Sequence, residues 1–410
     1  MNGEVWIIDA ARTPRGIGKP GKGALSATHP QKLLSAVLAA LAARNGLDTA
    51  DVDDVIAGCN TQAGKQGLDI ARMAALDAGY SQLAPGVTLD RFCGSGLTAV
   101  NLGAMGILSG AQDLILAGGV ESMSHNMGLQ REFMLDSGNL SLRRRIPQPH
   151  QGICADLIAM LEGIGRAELD ALALESQRRA AVSMEEGRFA RSLVPVRDEA
   201  GAIVLDRDEY PRPQTTLDAL AQLKPAFADA MNRPIDAEGN TYATLVRQAY
   251  PDLDIAHIHT AGTSSGVVDG AGALLLASPA YARAHGLTPR ARIRAMVTVG
   301  DDPTLMLNAP VPATRKALTK AGMSITDIDL FEVNEAFAIV PLKYMRDLDL
   351  DPARVNVNGG AMALGHPIGA TGAIILGTLL DELERRDLNI GIATLCSAGG
   401  MAPATIIERI

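Results

Sequence analysis

The chain carries a long-period repeat. Gly46-Leu-Asp-Thr-Ala-Asp51-Val-Asp53-Asp54-Val-Ile-Ala-Gly58 has a counterpart far downstream in Gly322-Met-Ser-Ile-Thr-Asp327-Ile-Asp329-Leu-Phe-Glu-Val-Asn334. Each reads as a glycine that stops a helix, an Asp-apolar-Asp cap and a short apolar strand. The parallel continues. Val87 to Arg91 predicts a strand running into a turn at Cys93 and then an Ala/Gly-rich helix, and Arg354 to Val357 predicts a strand running into a turn at His366 and a second small-residue helix. Strands ending in a Gly pair follow in both places, Leu114 to Gly119 and Ile390 to Gly400. Strand and helix alternate throughout, so the expected class is α/β, built twice from one plan.

The 410 residues exceed one ordinary core, in keeping with duplication. The expected division is an N-terminal half over 1–124 plus 257–278, an inserted loop domain over 125–256 and a C-terminal half over 279–410. In the insertion the pattern turns polar, Arg-rich and Pro-containing, with a helix expected over Glu168 to Gly187 and loops over Arg143 to Gln151 and Asp206 to Thr216. Ile258 to Ala273 is expected to return as strand, Gly/Ser turn and strand. A net charge of -9 excludes a general nucleic-acid binder, whose phosphate contacts need clustered Lys and Arg. No apolar run has the roughly 18 residues of a membrane span, and Met1 to Pro20 lacks the order of a signal peptide. The 4 cysteines, Cys59, Cys93, Cys154 and Cys396, lack the close pairs of a zinc site or disulfide framework, so free thiols in the cytoplasm and no metal are expected.

Three of the polar residues in Gly-rich turns carry chemistry. Cys93, between a strand and the helix opening at Gly94-Ser95-Gly96, would meet free helix N–H groups that can acidify a thiol or hold an oxyanion; its bland alternative is an inert buried cysteine. His366, after Gly365 and before Pro367, is expected in a first helical turn, where it could take a thiol proton and later donate to a carbonyl oxygen. Cys396, before the pair Gly399-Gly400, could act as a second acid or base. Asn334 ends a strand over Asp329 to Val333 and reads either as a helix N-cap or as an amide that orients a water or carbonyl. Arg143-Arg144-Arg145 reads as an anion contact or a solvated charge run.

These residues lie in motifs that together resemble the thiolase family of acetyl-CoA acetyltransferases and 3-ketoacyl-CoA thiolases. Among them are Ala11-Arg-Thr-Pro, Cys93-Gly-Ser-Gly, Gly118-Gly-Val-Glu-Ser-Met-Ser124, Thr260-Ala-Gly-Thr-Ser-Ser-Gly266, Asn334-Glu-Ala-Phe-Ala, Asn356 through His366 to Gly372, and Leu395-Cys396. Each alone is weak, but their order and spacing over nearly the whole chain are specific. The resemblance implies a duplicated five-layer αβαβα core with an inserted CoA-binding loop domain, in a homodimer or homotetramer. It implies CoA and acyl-CoA as substrates, no permanently bound cofactor, and possible association with other β-oxidation enzymes. By the same resemblance Cys93 is the acyl-accepting nucleophile, His366 its base and an oxyanion donor, Cys396 the acid/base at the acetyl-CoA α-carbon, and Asn334 the holder of a water completing that oxyanion site. The backbone N–H groups of Cys93 and Ala398 would form a second oxyanion hole. His150, Gln151, Leu223, Phe227, Ala261, Ser265, Ala336 and Phe337 would contact CoA or substrate.

The chain also departs from the family pattern. Gln151 stands where short-chain biosynthetic members commonly have Met, Ala398 where Gly is common, and Ala219 where some members have a Ser touching CoA. Asp229 to Ile255 is an extra stretch expected to reshape the nucleotide-side rim, a subunit contact or the acyl pocket. Two other functions are open to a chain of this pattern. A decarboxylating or condensing enzyme such as a ketoacyl synthase usually lacks a second catalytic cysteine, and a non-catalytic acyl-CoA or lipid binder tends to lose the nucleophile or the histidine.

Overall fold

The computed structural model describes residues 3–127, 129 and 134–410. Along the chain the main strands are β1 (Trp6–Arg12), β2 (Asp54–Gly58), β3 (Val87–Leu89), β4 (Leu114–Ser122), β5 (Val268–Ala277), β6 (Ala291–Gly300), β7 (Leu330–Val333), β8 (Ile390–Thr394) and β9 (Met401–Arg409). The main helices are α1 (Pro30–Asn45), α2 (Ile70–Asp77), α3 (Ser95–Leu108), α4 (Gln151–Leu161), α5 (Arg166–Glu185), α6 (Tyr242–Ala249), α7 (Pro310–Ala321), α8 (Ile339–Asp347) and α9 (Thr371–Arg385). The glycine stops of the repeat are where the sequence puts them: Gly46 (φ 57°) ends α1 and Gly322 (φ 67°) ends α7, both left-handed, a conformation glycine adopts without Cβ strain.

Among the described residues a ten-stranded sheet runs β7-β8-β9-β6-β1-β5-β4-β2-β3, with the two-residue strand Gly16–Ile17 beside β5. The two halves of this sheet pair where β1 meets β6, at Trp6 with Arg292 and Ile7 with Ala291. Across that narrow join the sheet folds over a central pair of helices. α3 packs on β2, β4 and β5 from one half and on β6 and β9 from the other, and α9 likewise touches strands of both. α1 and α2 cover one outer face, α7 and α8 the opposite one. Five layers result, in the α/β architecture expected of the repeat.

Strand alternation distributes the apolar residues among these layers. On β1, Trp6 and Ile8 face the α1/α2 core while Ile7 and Ala10 face the α3/α9 core. On β4, Leu114 and Leu116 point outward and Ile115 and Ala117 inward. With both faces covered, such strands read as unbroken apolar runs.

The central helices approach each other through backbone. A Cβ on Gly372 would lie 2.2 Å from the amide nitrogen of Leu97, and one on Gly96 would lie 2.8 Å from the Gly369 carbonyl. On β4, a Cβ on Gly119 would lie 2.0 Å from that same carbonyl.

Several local expectations are revised. Arg354 to Val357 is not a strand: a short 3-10 turn, Pro352–Arg354, leaves only a single bridge between Val355 and Phe331, because the chain turns at once into the Gly-rich loop. Ile258 to Thr260 is extended with one bridge to Pro225, and regular pairing begins at Val268. Asp229 to Ile255 contains α6, whose Thr241 cap accepts from Thr244 N (3.2 Å) and is answered by Thr244 Oγ1 at 2.9 Å. Arg143 is buried against Asp136 and Asp236, so it ties this segment down and does not face an anion.

Gly119→Ala is expected to lower the thermal midpoint by about 3–5 °C, since backbone on both sides cannot yield. Gly165→Ala, where a Cβ meets nothing within 4 Å, is the control and should change it by about 2 °C at most. Differential scanning calorimetry reads both, and equal midpoints would refute the close-approach account.

Candidate active site

The elbow between β3 and α3 positions Cys93. Phe92 sits at φ 51°, a left-handed conformation unusual for an aromatic residue, and Ser95 braces it: its Oγ donates to Phe92 O (2.7 Å) and accepts from Arg91 N (2.8 Å). The helix cap is Gly94, so Cys93 stands one residue before it. A Cβ on Gly94 would lie 2.5 Å from Ser397 Oγ, which places the Cys93 elbow against the turn that carries Cys396. That turn reverses through Gly399 (φ 77°) and Gly400 (φ 72°).

His366 follows Gly365 (φ 91°), where a Cβ would lie 2.3 Å from Val268. It is not in a first helical turn as expected. α9 begins at Thr371, because residues 367–370 form a separate turn closed by Ala370 N and Thr371 N on Pro367 O. Two buried carboxylates hold the loop. Glu121 accepts from Gly369 N (2.9 Å), and Glu335 accepts from Ser176 Oγ (2.7 Å), Asn356 Nδ2 (3.1 Å) and Met362 N (3.2 Å). The backbone closes the strap, with His366 N donating to Gly266 O and Gly266 N to Ala361 O.

The hydrogen bonds around His366 assign its tautomer. Thr371 Oγ1 donates to Pro367 O (2.9 Å) and lies 2.6 Å from His366 Nδ1. The single hydroxyl proton is committed to the carbonyl, so Nδ1 carries the hydrogen and donates to Thr371. Nε2 is then a lone pair, buried and without a protein partner among the described residues. Burial, and secondarily Arg15, lowers the His366 pKa to about 3, so the ring is neutral at physiological pH.

Burial also pushes the Cys93 thiol up to about 12, with Glu121 and Asp90 adding to it, and raises Cys396, where neighbouring Cys93 contributes. Both cysteines therefore rest as thiols. Asn334 is not a helix N-cap as one reading held: the next helix is capped at Ala338, since residues 334–338 continue as a turn below the strand end. Its side-chain Oδ1 and Nδ2 are buried with no protein partner among the described residues, a costly arrangement for an amide with a purely structural role. The N–H groups of Cys93 and Ala398 likewise make no backbone hydrogen bond there.

The other residues singled out in sequence converge on one side of this centre. Phe227 packs 5.4 Å from the His150 ring and 5.7 Å from Phe337, and a Cβ on Gly152, beside Gln151, would clash with it. Ser265 N donates to Ala336 O (2.9 Å), and Leu223 lies against Gly262, next to Ala261. Sequence reasoning missed several contributors. Thr371 and Glu121 sit inside quoted motifs, where their polarity amid small residues was the available signal. Asp156 takes the ring Nδ1 atoms of His257 and His259, each at 2.8 Å, plus the backbone N of His259 at 2.8 Å; a carboxylate so far in sequence from both histidines gives no such signal.

Residues 5–232 match the thiolase N-terminal domain and residues 287–409 the thiolase C-terminal domain. The chain belongs to the thiolase family. It is an acyltransferase: it is 40% identical to a 3-ketoacyl-CoA thiolase of Saccharophagus degradans over 99% of this chain and 98% of that one. A steroid 3-ketoacyl-CoA thiolase of Mycobacterium tuberculosis is also 40% identical, with 99% of this chain and 94% of its own covered. The crystal structure of the Bacillus anthracis acetyl-CoA acetyltransferase superposes with a TM-score of 0.84 at 36% identity, covering 100% of this chain and 99% of the other. Among the described residues no helix is long and apolar enough to cross a membrane.

Because His366 is neutral in the fold and has the ordinary histidine pKa of about 6.5 when unfolded, the unfolded chain binds the extra proton between about pH 6.5 and 3. Its stabilising contribution is complete above pH 6.5 and is lost as pH falls through that window. His366→Asn should flatten the decline of the urea midpoint between pH 6.5 and 4 relative to the parent; parallel slopes would show that His366 is already charged in the fold.

Proposed function

We propose that the protein catalyses thiolytic cleavage of a 3-ketoacyl-CoA into acetyl-CoA and a shortened acyl-CoA, and the reverse Claisen condensation, through an acyl-cysteine intermediate with ping-pong kinetics. The observation that carries this reading is the pairing of two buried thiols with a histidine whose unprotonated Nε2 has no protein partner.

In cleavage, Cys93 Sγ attacks the 3-keto carbon while its proton passes to His366 Nε2. The oxyanion formed at C3 is held by the Cys93 and Ala398 N–H groups, and the new imidazolium, anchored through Nδ1 by Thr371, donates with the Asn334-held water toward the thioester oxygen that becomes negative in the enolate. The C2–C3 bond breaks, and Cys396 gives its proton to the departing acetyl-CoA enolate. Cys93 now holds the acyl group as a thioester. An incoming CoA thiol yields its proton to the Cys396 thiolate and attacks that thioester. The tetrahedral oxyanion is held by the Cys93 and Ala398 N–H groups, and Cys93 leaves as thiolate to recover its proton from His366. One thioester replaces another, so little energy is lost in the exchange, and burial of both cysteines keeps water from the acyl-enzyme. His150, Ser265, Ala336 and Phe337 line the approach of the pantetheine arm, with Leu223 and Phe227 toward the CoA nucleotide and Ala261 beside them.

A homodimer is part of this proposal. β3 leaves one sheet edge open, and Leu68, Val87, Leu102 and Met105 are exposed on it or on nearby segments. Sedimentation velocity should give a single species of at least twice the 42.9 kDa chain mass; a stable monomer would exclude it.

Cys93→Ser should reduce acetoacetyl-CoA thiolysis by about a thousandfold or more. Acetyl-CoA incubated with the parent, quenched in acid and digested, should leave one acetyl group on the peptide containing Cys93. Full activity in the serine variant, or an acetyl group only on Cys396, would overturn the assignment.

A further inference from the structure

We infer that Tyr242, supplied by the Asp229 to Ile255 segment, closes the acyl end of the site and restricts the enzyme to short acyl chains. This rests on the thiolase reading above and adds to it the residue that sets chain length.

A small cavity of about 20 Å³ lies beside Ala398. Its walls include Met134, Gln148, His150, Gln151, Met306 and Tyr242. An acyl carbonyl held by the Ala398 N–H directs its alkyl tail into this space. A single water needs roughly 10–15 Å³ measured the same way, so the cavity accepts a methyl-sized group and little more. The lining is mainly apolar: thioether, pyrrolidine and aromatic ring surround the amides of Gln148 and Gln151.

Tyr242 is held in place from three directions. Its ring stands edge-on to His150 at a centroid distance of 5.9 Å, and its hydroxyl donates toward Met134 Sδ at 3.5 Å. It is the first residue of α6, whose position is set by the reciprocal Thr241/Thr244 cap and by Ala243 N donating to Met231 O (2.9 Å). The preceding turn is organised by Asp236, which accepts from Asn240 N (3.0 Å) and Asn240 Nδ2 (2.8 Å) and pairs with buried Arg143. Arg143 in turn holds Asp136 through two hydrogen bonds of 2.7 Å each. The two segments that supply Met134 and Tyr242 are thus locked together by one buried cation. A ring fixed at this point is a wall, and a longer tail cannot displace it without breaking that network.

The test is a chain-length series of acetoacetyl-CoA, 3-ketohexanoyl-CoA and 3-ketodecanoyl-CoA, with kcat/KM measured for the parent, Tyr242→Ala, Tyr242→Phe and Tyr242→Trp. The parent should favour acetoacetyl-CoA. Tyr242→Ala should raise kcat/KM for the longer substrates relative to acetoacetyl-CoA by about tenfold or more, the scale on which pockets discriminate methylenes. Tyr242→Phe should keep the parent profile, which assigns the effect to the ring and not the hydroxyl, and Tyr242→Trp should depress the longer substrates further. A parent that prefers the decanoyl substrate would overturn the inference, as would a Tyr242→Ala loss that is uniform across lengths. If Tyr242→Ala fails to fold, the Tyr242→Trp profile decides alone. If the parent cleaves none of the series, the thiolase reading itself fails, an outcome distinct from an altered length profile.

Discussion

The site depends on one close contact, where the turn after His366 touches the opposite half of the molecule with nothing but backbone between. The Gly369 carbonyl lies where a Cβ on Gly119 or Gly96 would be, and its amide is taken by Glu121 on the neighbouring strand. Add one methyl group on either side and the loop must retreat. The Cys93 elbow and the His366 loop would then be pushed apart, because the same glycines set how closely α3 and α9 approach. Close packing of this kind is unforgiving because dense interiors relax little around added volume. The abundance of small residues around His366 therefore follows from geometry: they let two halves of one chain share a site that neither contains.

The electrostatics follow from the burial this contact produces. Neither thiol has a cation against it, and His366 has lost nearly all basicity. A resting thiolate–imidazolium pair would need solvation that the seam does not provide. In the proposed mechanism charge separation is therefore deferred until a substrate carbonyl is present to accept it. Thr371 fixes the proton on Nδ1 and so leaves Nε2 with the lone pair that the proposed mechanism uses.

Much of this was legible in the sequence, and the limits have physical causes. The helix stops at Gly46 and Gly322 were readable because a left-handed cap is a local requirement met by one residue type. The turns at Cys93, His366 and Cys396 were readable for the same reason. Asn334 and Pro367 misled because capping propensity is real but here serves irregular turns that tertiary contacts impose, delaying the helices to Ile339 and Thr371. The Arg354 to Val357 strand failed because strand formation depends on an available partner edge, which one bridge to Phe331 nearly exhausts. Arg143 was ambiguous since its two carboxylate partners, Asp136 and Asp236, are distant from each other in sequence. Motif resemblance supplied the roles of residues, and only the fold disclosed what holds them, as with Glu121, Glu335 and Thr371.

The position of β1 has a consequence for how the chain reaches this state. It is among the first segments of the chain, yet it lies in the middle of the sheet, and both of its neighbours, β5 and β6, come from beyond residue 267. Until those arrive, an apolar strand buried on both faces has two open edges and no local partner. Such delayed pairing slows folding and exposes sticky edges in the interim. The join that allows the sheet to close over α3 and α9 is thus also its most vulnerable moment, and a cell making this protein has to shelter Trp6 to Arg12 for most of the time the chain is being synthesised.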